Sequence, residues 1–547
     1  MASPLPFDAW IQNHQSALQR PWLILGKGPS LDQAGQHDTE DYIRIALNDA
    51  AASHTAEFIH IIDLDVFSRC GDELDPCAST LIMPWMPHAA YPKYGKETTD
   101  YRISGHNLQE LSSSHPHIKR FAEAGKLLFY NLADCPEIRR NPAGITVDHF
   151  SFSAPVVIDL LGRSGVRKIR TLGVDGGRMH GGIPREGTED SSVQTSVSSK
   201  YDIQFREIAK CIRSYQLDCG PLDQQIPVKV FVGLEKEQQL AFEVLRYSIT
   251  RHASITTEII GLNQALEGAT DCSTLSGNTP FSFQRFSIPA LCGYAGRAIY
   301  LDSDMLVLRD IRELWQYPMH ENALLSVGAA PDSGRAAQFS VMILQCDRLQ
   351  WNIKEIINDV EGGKHDYHDL LQLMNIVKQK SSEIPYYWNS LESLSRETRL
   401  LHYTDMDLQP WLNWRNRNGR IWCEHLFEAI MQGAISRTFV EKEISRGHVR
   451  PSLSYQLDHQ IIDPLLLPWH IRQRDTATFV PPHVMPEVLS RDADSVEPHG
   501  FKRTFALMTY AYARHGGILL RNRIRSCRQK LKQQLRLLRL IMIGVRK

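Results

Sequence analysis

Short apolar strands alternate with helical segments in two successive blocks of this chain, and that alternation constrains it most, because it is the pattern of parallel α/β sheets. The first block opens on Trp22-Leu23-Ile24-Leu25, and further strands are expected at 43–47, 58–62, 81–83, 127–130 and 169–172, with a helix over 154–161. A helix over 201–215 follows, its Ile203, Phe205, Ile208, Ala209 and Ile212 forming one apolar stripe. The polar stretch 185–199 reads as a loop or lid, and 218–225, with Gly220-Pro221, as a linker. A second block starts at Val228-Lys229-Val230-Phe231-Val232 and continues with a helix over 237–250 and strands near 256–260 and 298–301. At 547 residues the chain is too long for one ordinary core. The expected architecture is therefore α/β, with two Rossmann-like domains over 1–222 and 223–450 and a C-terminal extension over 451–547.

The net charge of −1 conceals an asymmetry. Residues 501–547 hold thirteen Lys and Arg and no acid, which leaves 48 bases against 62 acids in the rest. In that tail Leu531, Leu535, Leu538 and Met542 recur at helical spacing among Arg525, Arg528, Lys532, Arg536 and Arg539. A basic amphipathic helix of this kind is expected to lie on an anionic membrane surface. No recognition motif supports nucleic-acid binding. The ten cysteines are scattered, without Cys-x-x-Cys, which argues against structural zinc and a disulfide framework and for reduced thiols. No signal peptide is visible in Met1 to Leu18, and no run of eighteen apolar residues suggests a membrane span.

The sharpest segment is Gly296-Arg297-Ala298-Ile299-Tyr300-Leu301-Asp302-Ser303-Asp304. A buried strand would deliver two carboxylates at its carboxyl end, where open parallel sheets place ligands. In extended chain, residues i and i+2 face one side, so Asp302 and Asp304 could share a cation. Hard oxygen ligands suit Mg²⁺ or Mn²⁺, which also bridge diphosphate oxygens. Asp-x-Asp alone says little, since Asp63/Asp65, Asp405/Asp407 and Asp492/Asp494 have the same spacing.

Together with Thr279-Pro280-Phe281-Ser282-Phe283-Gln284-Arg285-Phe286-Ser287-Ile288-Pro289-Ala290-Leu291, this strand resembles the family 8 glycosyltransferases. The resemblance spans roughly 226–411 and implies a GT-A nucleotide-diphospho-sugar transferase fold, metal dependence, retention and mainly UDP-sugar donors. Leu401-His402-Tyr403-Thr404-Asp405-Met406-Asp407-Leu408-Gln409-Pro410-Trp411 is similar to that family's closing His-x-x-Gly-x-x-Lys-Pro-Trp. The resemblance implies Asp302, Asp304 and His402 as ligands of Mn²⁺ (or Mg²⁺), and Arg285, Ser303, Gln338, Gln409 and Trp411 as the donor-binding set. Asp405 replaces the usual glycine and Gln409 the usual lysine, so a charged diphosphate contact is missing or supplied elsewhere. Asp366-Tyr367-His368-Asp369 lies near the acceptor-side acidic motif, and the Trp388 of Ile384-Pro385-Tyr386-Tyr387-Trp388-Asn389 reads as a core aromatic.

In the first block, Gly26-Lys27-Gly28-Pro29-Ser30-Leu31 directly follows a strand, where glycines let N–H groups approach an anion. The pattern resembles the opening of bacterial family 42 sialyltransferases and of hydroxymethylpterin diphosphokinase-like proteins. That resemblance implies a nucleotide site at Gly26, Gly28, Ser30, Asn48 and Asp175, with His180 a candidate histidine. A tight turn without ligand is the alternative. The chain as a whole is expected to be a glycosyltransferase on the inner face of the cell membrane, with a nucleotide-sugar donor and a glycan or lipid-linked acceptor of polysaccharide or lipopolysaccharide assembly. The competing expectations are a sialyltransferase-like or diphosphokinase-like first domain as the main catalyst, and a non-enzymatic nucleotide-binding scaffold.

Overall fold

The computed structural model describes residues 3–92, 99–148, 152–176, 203–266, 281–329 and 338–484. The loop 185–199, His180, Asp492, Asp494 and the basic tail lie outside them. Two compact units are present, Met1–Leu234 with Leu245–Leu401, and Glu235–Val244 with His402–Lys547. Among the described residues no helix is long and apolar enough to cross a membrane.

Two large sheets make up most of the first unit. The strands of the first, in chain order, are β1 (Leu5–Pro6), β2 (Trp22–Leu25), β3 (Ile43–Leu47), β4 (Phe58–His60), β5 (Thr80–Pro84), then, after a separate antiparallel pair β6 (His88–Pro92) and β7 (Thr99–Ile103), β8 (Leu127–Leu132), β9 (Thr146–Val147), β10 (Lys168–Leu172) and β11 (Asp218–Pro221). They order as β1-β8-β5-β4-β3-β2-β10-β11, with β9 beside β8, and every pair is parallel. All four residues of β2 are buried, as a strand covered on both faces requires. The helix Ser153–Arg163 supplies part of that cover through Val156, Val157, Leu160 and Leu161.

The segment expected as a linker is in part the edge strand β11, hydrogen-bonded in register with β10. Gly220-Pro221 disguised it, yet proline is tolerated on an edge because the missing N–H faces no neighbour. The Cys219 N–H is moreover held by Thr256 Oγ1 (2.8 Å), and the Thr256 N–H donates to the Cys219 carbonyl (2.9 Å). These bonds join the first sheet to the second, and the Arg312 guanidinium over the Phe205 ring adds a cation–π contact.

The second sheet is built from β12 (Val228–Gly233), β13 (Thr257–Gly261), β14 (Arg297–Asp302), β16 (Leu324–Val327), β17 (Gln338–Gln345) and β18 (Lys380–Ile384), in the order β13-β12-β14-β17-β16-β18. Strands β13, β12 and β14 run parallel, whereas β17 is antiparallel to both β14 and β16. The chain leaves β12 to one side for β13 and returns on the other for β14, so the switch point, where such sheets place ligands, lies between β12 and β14. A small sheet of β15 (Met305–Val307), β19 (Ser390–Leu391) and β20 (Leu400–His402) orders as β15-β20-β19.

In the second unit the helices Gly419–Met431, Arg437–Ser445, Ser452–Asp458 and Trp469–Thr478 gather round Tyr403, Trp411, Trp422 and the fully buried Arg450.

His88, the first residue of β6, makes stability depend on pH. The His88 imidazole lies between Asp134 (3.1 Å) and Asp63 (3.6 Å). Burial by itself would lower its pKa, but the hydrogen bonds to Asp134 and Asp63 prevail and push it up to about 9. A folded-state pKa above the unfolded value near 6.5 gives stability that is complete below about pH 6.5 and is lost as pH rises through 9. Between pH 7 and 9.5 the wild-type Tm should therefore fall about 2–4 °C further than that of His88→Gln. Equal slopes in the two proteins, followed by circular dichroism, would refute the doubly paired histidine.

Candidate active site

Asp302 ends β14 directly opposite Gly233 of β12, and the Ser303 N–H donates to the Gly233 carbonyl (3.0 Å). A Cβ at position 233 would come 2.4 Å from the Tyr300 hydroxyl, so a glycine here makes room for that phenol. Tyr300 lies two residues before Asp302, on the same face, and donates to Asp302 Oδ1 (2.6 Å). Burial pushes the Tyr300 phenol well above its usual range, so it remains a donor. Arg285 stands behind the pair. Its Nη1 donates to the Phe339 carbonyl (3.0 Å), its guanidinium lies 4.6 Å from the Tyr300 ring centre, and its Nη2 is 3.6 Å from Asp302 Oδ1. The arginine thus orients an acid as well as supplying positive charge to the crevice.

The strand stops at Asp302, and Ser303-Asp304 forms a bend into β15, so the two acids do not share one straight ribbon as the alternation argument supposed. They converge nonetheless. The Leu308 N–H, just after β15, donates to the Arg399 carbonyl at the start of β20 (2.7 Å). One ligand atom each from Asp302, Asp304 and His402 then lie within 4.8 Å of one another. Ligand atoms around a small hard cation are about 3 Å (cis) to 4.2 Å (trans) apart for bonds near 2.1 Å. The trio therefore fits such an ion after slight contraction, and two carboxylates with one imidazole suit Mn²⁺ better than Mg²⁺.

A second trio, Asp366, His368 and Asp369, has the same spacing but is exposed or half-exposed. The Asp366 carboxylate accepts from the Asp369 N–H (2.7 Å) and so caps the helix Tyr367–Leu371, which accounts for its position. Other Asp-x-Asp pairs are similarly engaged: Asp63 with His88, Asp65 with Arg69, and Asp407 with His483.

The remaining residues expected around the donor are dispersed in kind. Ser303 is buried, and Gln338 begins β17, its side chain outside the described set. Gln409 is buried and donates to the Tyr403 carbonyl (3.1 Å). The Trp411 indole packs against Trp422 and Tyr403 in the core of the second unit. Trp388 is wholly buried, as its reading as a core aromatic anticipated. Tyr300 and Gly233 escaped the sequence reading, although the i, i+2 relation of Tyr300 to Asp302 was the signal for the first. Asn389, buried and donating to Ser340 Oγ (3.0 Å), also stood without an assigned part.

In the first sheet, Gly26, Gly28, Ser30 and Asp175 come together where β2 and β10 end. The Gly26 N–H donates to the Leu172 carbonyl (2.7 Å) and the Gly28 N–H to the Gly173 carbonyl (2.8 Å). Asp175 accepts from the Ser30 N–H (2.8 Å) and hydroxyl (2.6 Å). A Cβ on Gly26 would be 2.2 Å from the Gly173 oxygen, so these glycines serve the approach of two loops. Asn48, at φ 51°, donates instead to Ser153 Oγ (3.1 Å).

The model of glycosyl transferase family 8 matches residues 234–368. Protein CDI of Arabidopsis thaliana is 28% identical over 225 residues, covering 35% of this chain and 82% of that protein. Among solved structures, the apo form of the glycosyltransferase GlyE of Streptococcus pneumoniae TIGR4 is 18% identical over 38% of this chain, with a TM-score of 0.28. The chain spans 64% of the length of that GlyE structure. The galactosyltransferase LgtC, solved with donor and acceptor sugar analogs, is 12% identical over 38% of this chain and 100% of its own, with a TM-score of 0.28. The family 8 match over residues 234–368 supports a glycosyltransferase in the second half of this chain.

Proposed function

We propose that the chain moves a hexose from a UDP-sugar to a surface-glycan or lipid-linked acceptor, with retention at the anomeric carbon. Asp302, Asp304 and His402 hold a divalent cation, Mn²⁺ in preference to Mg²⁺. The observation that carries this reading is the convergence of those three ligand atoms within 4.8 Å, with Asp302 and Asp304 inside the stretch 234–368 that the family 8 model matches. When bound, the cation offsets the charge that develops on the departing diphosphate. The residues of the chain do the positioning. Tyr300 fixes the Asp302 carboxylate, Arg285 supports both, and the Ser303 main chain holds the turn against Gly233. Rate then comes from orientation and leaving-group electrostatics, with no side chain assigned as nucleophile or base. The tail over 501–547, with its thirteen basic residues, docks the enzyme on the anionic inner face of the cell membrane.

A thermal-shift screen of nucleotide-sugars with and without Mn²⁺ tests the donor and the metal together. UDP-sugars should raise Tm only when Mn²⁺ is present, and the response should vanish in Asp304→Ala. A CMP-sugar response that ignores both metal and Asp304 would overturn the reading in favour of the first domain.

A further inference from the structure

A cavity of about 390 Å³ opens in the first sheet where the adjacent parallel strands β5 and β8 end, and it shares no residue with the Asp302 cluster. Trp85 follows β5 directly, and the loop holding Arg139 and Arg140 follows β8. The carboxyl edge of a parallel sheet is where α/β proteins present ligands. The size is at the small end of the range for ligand pockets, about 300–1,000 Å³. One or two sugar rings fit in that volume.

The charge of its wall is informative. Arg140 is anchored by the Cys135 carbonyl (2.8 Å, from Nε) and the Ala133 carbonyl (2.6 Å, from Nη2). Arg139 is anchored by the Ser104 carbonyl (2.7 Å). Main-chain dipoles hold both guanidiniums in place without neutralising them, and neither forms an ion pair among the described residues. Such a fixed, uncompensated pair is preorganised for a carboxylate or a phosphate. The opposing charge in the wall is Glu110, whose carboxylate is engaged by the Asn107 N–H (3.2 Å) and His106 Nδ1 (3.2 Å) as part of a helix capping box. The Trp85 indole, tilted at 53° against Phe129, is only partly buried and supplies the apolar surface on which a pyranose ring stacks.

We propose that this cavity binds a sugar unit bearing a carboxylate or a phosphate, so that the first sheet holds an acidic glycan while the second carries the transfer. The binding itself does not depend on the metal site.

Titration calorimetry of the full chain with glucuronic acid, glucose 6-phosphate and glucose tests this. One or both acidic sugars should bind at least tenfold more tightly than glucose, and their ranking tells carboxylate from phosphate as the recognised group. Affinity should fall at least tenfold in Arg140→Gln and in Trp85→Leu, and be unchanged in Asp304→Ala. Because Arg140 also braces its loop, Glu110→Gln is the decisive variant: the amide preserves the cap, and removing the opposing charge should tighten binding of the acidic sugar severalfold without affecting glucose. Equal binding of glucose, no binding of either acidic sugar, or an affinity indifferent to Glu110→Gln would each overturn the proposal. Loss of binding in Asp304→Ala would assign the ligand to the transferase site instead.

Discussion

Transfer by Asp304→Ala is expected to fall at least about a thousandfold in kcat/KM, which corresponds to about 4 kcal/mol of transition-state stabilisation. The physical reason is that Asp304 contributes one of three converging ligand atoms, and two ligands hold a hard cation poorly. His402→Ala should lose less than Asp304→Ala and be partly restored by raising Mn²⁺, since a neutral imidazole contributes less to the attraction of a cation than a carboxylate does. Steady-state kinetics across a Mn²⁺ titration would distinguish loss of affinity from loss of turnover. Wild-type rates in Asp304→Ala at limiting Mn²⁺ would exclude the metal arrangement altogether.

The second large effect is on stability. Arg450→Ala should destabilise the second unit by about 3–5 kcal/mol, because it strands buried partners rather than merely deleting contacts. Arg450 is wholly buried. Its Nε donates to the Pro410 carbonyl (3.0 Å), and its other nitrogens reach Ser452 and Gln456. Ser452 in turn bonds to Asp475, with its N–H 2.8 Å from Oδ1, so that the charge of Arg450 compensates a buried carboxylate. Burial lowers the Arg450 pKa, and the guanidinium nevertheless stays charged at neutral pH. Arg450→Met, which fills volume but leaves Asp475 uncompensated, should recover only a small part of the loss. Urea unfolding followed by circular dichroism and limited proteolysis would measure both. A change below about 1 kcal/mol in Arg450→Ala would mean the network contributes no more than a surface pair.

Much of the architecture was legible in the chain because its signals are local. β2, β3 and β8 are short, mostly apolar runs, and the helices Ser153–Arg163 and Gln204–Tyr215 fall within a residue or a few of their expected positions. The strand β14 with its acids was likewise written in consecutive residues, Ala298 to Asp304. The edge strand β11 was not, because glycine and proline weaken intrinsic strand preference while pairing with β10 and the bonds to Thr256 override it.

Within the site the same boundary holds. The order of residues determined that two acids stand at or just beyond the end of a buried strand in an α/β protein, in a stretch that resembles family 8. The resemblance alone singled out His402, whose ligand atom lies within 4.8 Å of those of the two acids. The tertiary structure also decided that Tyr300 and Arg285 orient Asp302, that Gly233 leaves space for a phenol, and that Gly26 and Gly28 serve contact between loops. Neighbours along the chain limit which side a residue faces, but the atoms that meet it come from strands remote in sequence, and their distances exist only once the sheets have closed.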